Sequence, residues 1–226
     1  MPSIPIGLSR DLPARRVMRA IAEGRDLAVW RSASGRLSAW DNRCPHRGMR
    51  LSHGFVRGEA LACLYHGWQY GAETGRCQYI PAHPDLTPPE TIGVQAHPAG
   101  EAGGLIWVAV SGPLDMPDPG AATAPLRSLN VEAAPGAVSG ALASTALDGV
   151  LPASFVGRTV VRFTLDGLPM AAALQSLPCD QTGMHVLVTP EAGRAALTRL
   201  SRWCEEVRRV AEALAIGLPV RQESPA

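Results

Sequence analysis

Two short clips constrain this chain more than anything else in it: Cys44-Pro45-His46 and Cys63-Leu64-Tyr65-His66, separated by the sixteen residues from Arg47 to Ala62. Each clip offers one thiolate and one imidazole. Pro45 stiffens the first loop, while Gly48 and Gly67 let the backbone fold tightly around a bound anionic group that wants N–H donors.

Two Cys on one iron and two His on the other is the ligand set of a Rieske [2Fe-2S] centre. A structural zinc also accepts two Cys and two His, but its usual spacing puts both Cys in one clip and both His in another. A mixed clip suits a two-metal cluster, because each loop can hand its Cys to one iron and its His to the other. Cys44, His46, Cys63 and His66 are therefore the expected metal and cofactor ligands, and a Rieske-type [2Fe-2S] cluster is the expected cofactor. Zinc stays as the rival, and no catalytic residue is assigned.

The stretch from Cys44 to Gly54 (CPHRGMRLSHG), followed by Cys63 to Tyr70 (CLYHGWQY), resembles the Rieske domain of ring-hydroxylating and demethylating oxygenase α subunits. The stretches 75–81 (GRCQYIP) and 104–110 (GLIWVAV) are similar to that family's hairpin after the cluster and its closing strand. The resemblance runs from about Ile6 to Gly112. Respiratory-chain Rieske proteins carry a further Cys in each cluster loop, which form a disulfide; here neither 48–62 nor 64–76 holds one. Fewer hydrogen bonds to the sulfurs and no bridging disulfide place the expected potential toward the low end of the range, about −150 mV. In the family, a carboxylate of a neighbouring subunit bridges the cluster's histidines to a mononuclear iron.

That iron needs two His and a carboxylate on a helix-grip domain. The sequence has six His, at 46, 53, 66, 83, 97 and 185, and beyond His97 there is His185 alone. The expected architecture is a mainly β Rieske domain (1–112, antiparallel sheets with the cluster at loop tips) followed by a Pro/Ala/Gly-rich linker (113–150). A small, truncated α+β helix-grip-like region (151–226) would end in an amphipathic helix.

Composition narrows the class. Twenty-one basic and twenty acidic residues leave a formal charge of +1, so no broad field points to nucleic acid or an anionic membrane. The N-terminus lacks the order of a signal peptide, and no apolar run approaches the ~20 residues of a membrane span. Cys77, Cys179 and Cys204 read as reduced thiols. The expected location is the cytoplasm.

Residues 15–23 suggest a short helix, with Val17, Met18 and Ile21 on one face. Hairpins are expected over 27–40, 55–62 and 68–80, the first two delivering Cys44 and Cys63. Strands are expected at 159–165 and 184–188, and a helix opening at Pro190 behind a Thr189 cap. Residues 81–98, rich in proline, read as irregular loop, though in the family Pro81 closes one side of the cluster. Trp68 and Tyr70 read as packing, Tyr65 as a group beside a ligand that tunes hydration or donates a hydrogen bond. Arg47 either guides an acidic donor or pairs locally.

These readings predict a Rieske electron-transfer subunit of an oxygenase-type hydroxylase or demethylase system. It would take electrons from a reductase or ferredoxin and pass them to a mononuclear iron in a partner, either a full-length α subunit or another copy in a homo-oligomer. Two alternatives stand: a self-contained oxygenase whose iron is held by an unusual set including His185, Asp180 and carboxylates such as Glu191, and a non-catalytic redox sensor or assembly subunit.

Overall fold

The computed structural model describes residues 3–145, 154–156 and 159–218. The chain divides into two units, one of residues 1–101 and 106–116, the other of 102–105 and 117–226.

The first unit is built from short strands: β1 (Ile4–Leu8), β2 (Arg16–Ala22), β3 (Arg25–Arg31), β4 (Leu37–Asp41), β5 (Phe55–Arg57), β6 (Ala60–Ala62), β7 (Gln69–Gly71), β8 (Cys77–Tyr79), β9 (Ala96–His97), β10 (Ala99–Ala102) and β11 (Leu105–Val108). They form sheets of order β2-β3-β4-β9, β5-β6-β7-β8 and β1-β11-β10. Strand β3 explains why its sequence is apolar on successive residues. Leu27 and Val29 face a core shared with Ile106 and Val108, while Ala28 and Trp30 face a second core with Trp40, Leu61 and Tyr70. A period of two with both faces covered gives an unbroken apolar run.

Residues 15–23 are not helical. They form β2, paired residue for residue with β3 from Arg16↔Arg31 to Ala22↔Arg25. Val17 and Ile21, four apart, share a side of a strand as well as of a helix, so that spacing does not discriminate. The deciding residues are Glu23 and Gly24, both at positive φ (50° and 74°), the two-residue turn that matches strand twist. The three hairpins form where the sequence places them, and β4 and β6 lead into Cys44 and Cys63.

Gly54 follows the turn Leu51–His53, where a Cβ would sit 2.2 Å from the Ala62 carbonyl oxygen. Gly54→Ala must therefore force β5 and β6 apart, and we expect it to destabilise the first unit by about 2 kcal/mol or more in urea denaturation. An unchanged midpoint would show that the hairpin yields freely.

The second unit is α+β. Its sheet of order β12-β16-β15-β14-β13 uses β12 (Ala124–Val131), β13 (Ser154–Val156), β14 (Val160–Leu165), β15 (Leu168–Leu177) and β16 (Gln181–Val188). Two helices join it, α1 (Pro135–Ser144) and α2 (Arg194–Ala215). Val161, Phe163, Met170, Ala172, Met184 and Val186 meet Leu200, Trp203, Cys204 and Val207 of α2 in one core.

Three expectations change here. Residues 113–150 are not simply a linker, since they contain β12 and α1. A register shift between Pro125 and Arg127 breaks the alternation of β12, and Gly136 and Gly140 dilute the helical pattern of α1. Strand β15 was not anticipated, although Asp166-Gly167 (φ 51° and 73°) is a strong hairpin signal. Helix α2 begins at Arg194 behind Gly193, and the Thr189 hydroxyl bonds Glu191 instead of capping it.

Candidate metal centre

The two cysteine loops have the same construction. Gly48 N–H donates to the Cys44 carbonyl (2.9 Å) and Gly67 N–H to the Cys63 carbonyl (3.0 Å), each four residues on. One residue later the loops close alike: Cys44 N–H donates to Met49 O and Cys63 N–H to Trp68 O (2.8 and 2.9 Å). Both glycines have φ above +70°, a conformation costly for any residue with a Cβ. A Cβ on Gly67 would also press on Pro81 Cγ at 3.0 Å, so Pro81 lies directly against the second loop.

This construction sets the four expected ligands. Cys44 and Cys63 are buried, within the core of Trp30, Trp40, Leu51, Leu61 and Tyr70. His46 and His66 are half-buried at the rim, their ring centroids 4.6 Å apart. Trp68 stacks flat on His46 (4.3 Å, 6°), and Tyr65 leans on His66 (3.9 Å, 30°) while remaining 56% exposed. Tyr70, fully buried, has its hydroxyl 3.1 Å from Cys44 Sγ. Packing alone therefore understates Tyr70, which bonds the sulfur of an expected ligand.

Burial pushes the Cys63 thiol up; the backbone N–H groups of Tyr65 and His66 oppose this, and Cys44 adds to the rise. Burial also pushes the Cys77 thiol up. A buried thiol such as Cys63, which resists ionisation alone, becomes a thiolate beside a bound cation. Burial depresses His46, with His66 and Arg47 contributing, so its ring is neutral, the form that ligates metal. Its Nδ1 is buried and has no hydrogen-bond partner, the state of an atom that a metal would satisfy. Among the described residues no three His, Cys, Asp or Glu side chains surround one point. Two thiols in one core and two paired imidazoles at its rim are a donor set that fits a centre of mixed Cys/His ligation.

The remaining histidines lie elsewhere. His97 Nε2 bonds Asp41 (2.8 Å), and His53 is exposed beside Gly54. His185 is buried in β16 with Nδ1 3.0 Å from Ser128 Oγ and Nε2 3.2 Å from Gln175 Oε1. Asp180 and Glu191 cannot share one iron with His185: they lie beyond opposite ends of β16, eight residues long, so roughly 25 Å of strand separates them. No helix of the described residues is long and apolar enough to cross a membrane.

Comparison with known proteins bears on the same segment. Residues 3–95 match the family model described as Rieske [2Fe-2S] domain. The chain is 45% identical over 113 residues to the oxidoreductase NdmD of Pseudomonas putida, and 32% identical over 118 residues to the 5,5'-dehydrodivanillate O-demethylase oxygenase subunit of a Sphingobium species. Each match takes in 50% of this chain but 19% and 27% of those proteins, well short of their full length. Among solved structures, Pseudomonas putida CBB5 NdmA superposes with a TM-score of 0.74 at 18% identity, covering 100% of this chain and 84% of that one. That likeness establishes a shared fold, extending through the second unit. Over residues 3–95 the chain is a Rieske [2Fe-2S] domain, with a Rieske-type cluster as its cofactor and homologues among Rieske oxygenase α subunits.

Proposed function

We propose that this chain relays single electrons from a reductase or ferredoxin to a mononuclear iron centre carried by another polypeptide of an oxygenase system. Cys44 and Cys63 hold one iron, and His46 and His66 the other. The observation that carries the reading is the placement of these four residues: both thiols in the core, both imidazoles paired at the rim, where a partner can reach them. The cluster, when bound, supplies reversible one-electron chemistry. The protein supplies ligands, shielding by Trp68 and Tyr65, and a fixed donor in Tyr70.

The second unit supports the division of labour. This sequence carries one histidine beyond His97, and both its ring nitrogens are engaged by Ser128 and Gln175. The reading places a two-histidine iron site in a partner, an α subunit or another chain, with a carboxylate bridging to the exposed edge of His46 or His66. Free Cys77, Cys179 and Cys204 suit the reducing cytoplasm.

The test is single turnover. Reduced protein, given dioxygen and an aromatic or N-methylated substrate, should form no product alone and should form it when an oxygenase subunit bearing mononuclear iron is added. Iron analysis should return two atoms per chain. Three irons and product without a partner would overturn the relay.

The Tyr70 hydroxyl makes a second prediction. Burial and the adjacent Cys44 keep its phenol protonated, so with a thiolate at Cys44 it is the donor. A donor stabilises the more negative, reduced state and raises the potential. Tyr70→Phe should lower it by roughly 30–60 mV, the equivalent of a bond worth about 1 kcal/mol, in a redox titration followed by EPR. An unchanged potential would remove Tyr70 from the tuning of the centre.

A further inference from the structure

The first cysteine loop forms one wall of an open concavity of about 360 Å³ lined by Arg25, Asp26, Asp41, Asn42, Arg43, Gly48 and Arg50. Its two carboxylates are already shared. Asp26 is bound by Arg19 (2.8 Å), by Asn42 Nδ2 (2.9 Å) and by Arg50 (3.3 Å), and Asp41 by His97 (2.8 Å) and, at 3.8 Å, by Arg25. Arg43 has no carboxylate partner among the described residues, and its guanidinium lies beside Gly48, where a Cβ would be 3.4 Å from Nε. Arg25 and Arg50 keep more than half of their side-chain surface in solvent. Arg47, also exposed, adds a cation on the same loop. A near-neutral chain thus gathers more arginines than carboxylates beside its first cysteine loop, with Arg25 and Arg50 shared and Arg43 available.

We propose that this arginine-lined concavity is the docking site for the acidic face of the electron-donor protein, its carboxylates seating on Arg43, Arg25 and Arg50. The proposal rests on the relay reading and names the chemistry of the donor. Guanidinium forks take carboxylates in bidentate pairs, and opposite charge accelerates encounter. A nucleic acid fits less well, because Asp26 and Asp41 interrupt the basic surface. In the docked pair the donor, a one-electron-reduced acidic iron–sulfur protein, loses one electron and this chain gains it, with no bond made or broken.

The probe is reduced plant-type ferredoxin, an acidic one-electron donor, mixed with the oxidised holoprotein in a stopped-flow instrument. Reduction should slow about tenfold or more between about 20 and about 500 mM salt. It should slow about tenfold at low salt in Arg25→Gln/Arg43→Gln and in Arg43→Gln alone. Photoreduced deazariboflavin, a neutral reductant, should reduce all forms at one rate, and their EPR spectra should match. Calorimetry of the two oxidised proteins should show affinity falling in step with the rates. Ferredoxin rates indifferent to salt or to the substitutions, or no reduction by ferredoxin where deazariboflavin succeeds, would overturn the docking site and leave the relay standing. So would an oligonucleotide that binds in an Arg43-dependent way as tightly as ferredoxin. Failure of deazariboflavin itself to reduce the protein would remove the relay and the docking site together.

Discussion

Cys63→Ser should strip the protein of its cluster, taking iron from about two per chain to almost none. A serine hydroxyl is too weakly acidic to ionise in a site that already resists ionising a thiol, so one iron loses half of its protein ligands. The loss should spread through the first unit, because Cys44 and Cys63 are members of its core with Trp30, Trp40 and Tyr70, and metal binding and folding share one free energy. The second unit has its own core on α2 and should keep its helical circular dichroism. Visible absorbance, iron content and melting measured together check the prediction. Wild-type iron content in the variant would mean that Cys63 is not a ligand.

Acid should unlock the second unit through His185. Burial holds its folded pKa at about 4, whereas an imidazole in the unfolded chain titrates near 6.5. Between those values the unfolded state binds more protons, so stability is complete above about pH 6.5 and falls as pH drops toward 4. About 2.5 units at roughly 1.4 kcal/mol each comes to about 3.5 kcal/mol in full, of which about 3 kcal/mol has developed at pH 4, where the folded imidazole is itself half protonated. The structure explains why the proton is refused: Gln175 Oε1 accepts from Nε2–H, which leaves Nδ1 to accept from the Ser128 hydroxyl. Protonation would put a hydrogen on Nδ1 and a charge in the middle of the sheet. His185→Gln removes the titration, so the stability difference between variant and wild type should shift by about 3 kcal/mol in the variant's favour between pH 7 and pH 4. Hydrogen exchange of β15 and β16 amides reads it locally. A difference independent of pH would mean that His185 does not control the acid response.

The centre was more legible in the sequence than the scaffold around it. Cys44, His46, Cys63 and His66 carry their chemistry in residue type and spacing, and the hairpins that deliver them end in recognisable turns. The paired backbone bonds to Cys44 and Cys63 were foreshadowed by Gly48 and Gly67 alone. What the sequence concealed follows from ambiguous periodicity. Val17 and Ile21 satisfy helix and strand alike, and the small residues of β12, α1 and β15 weaken any pattern, leaving Asp166-Gly167 as the overlooked clue. The bond from Tyr70 to Cys44 and the engagement of His185 by Ser128 and Gln175 join positions ten to fifty-seven residues apart. Contacts of that kind exist only once strand register is set.

Iron and acid-labile sulfide quantified on the purified protein, with an EPR spectrum of the dithionite-reduced form, test the central claim most directly. Two irons and two sulfides per chain with a rhombic signal of mixed Cys/His ligation are the predicted result. A colourless protein holding one zinc at Cys44, His46, Cys63 and His66, with no sulfide, would contradict it.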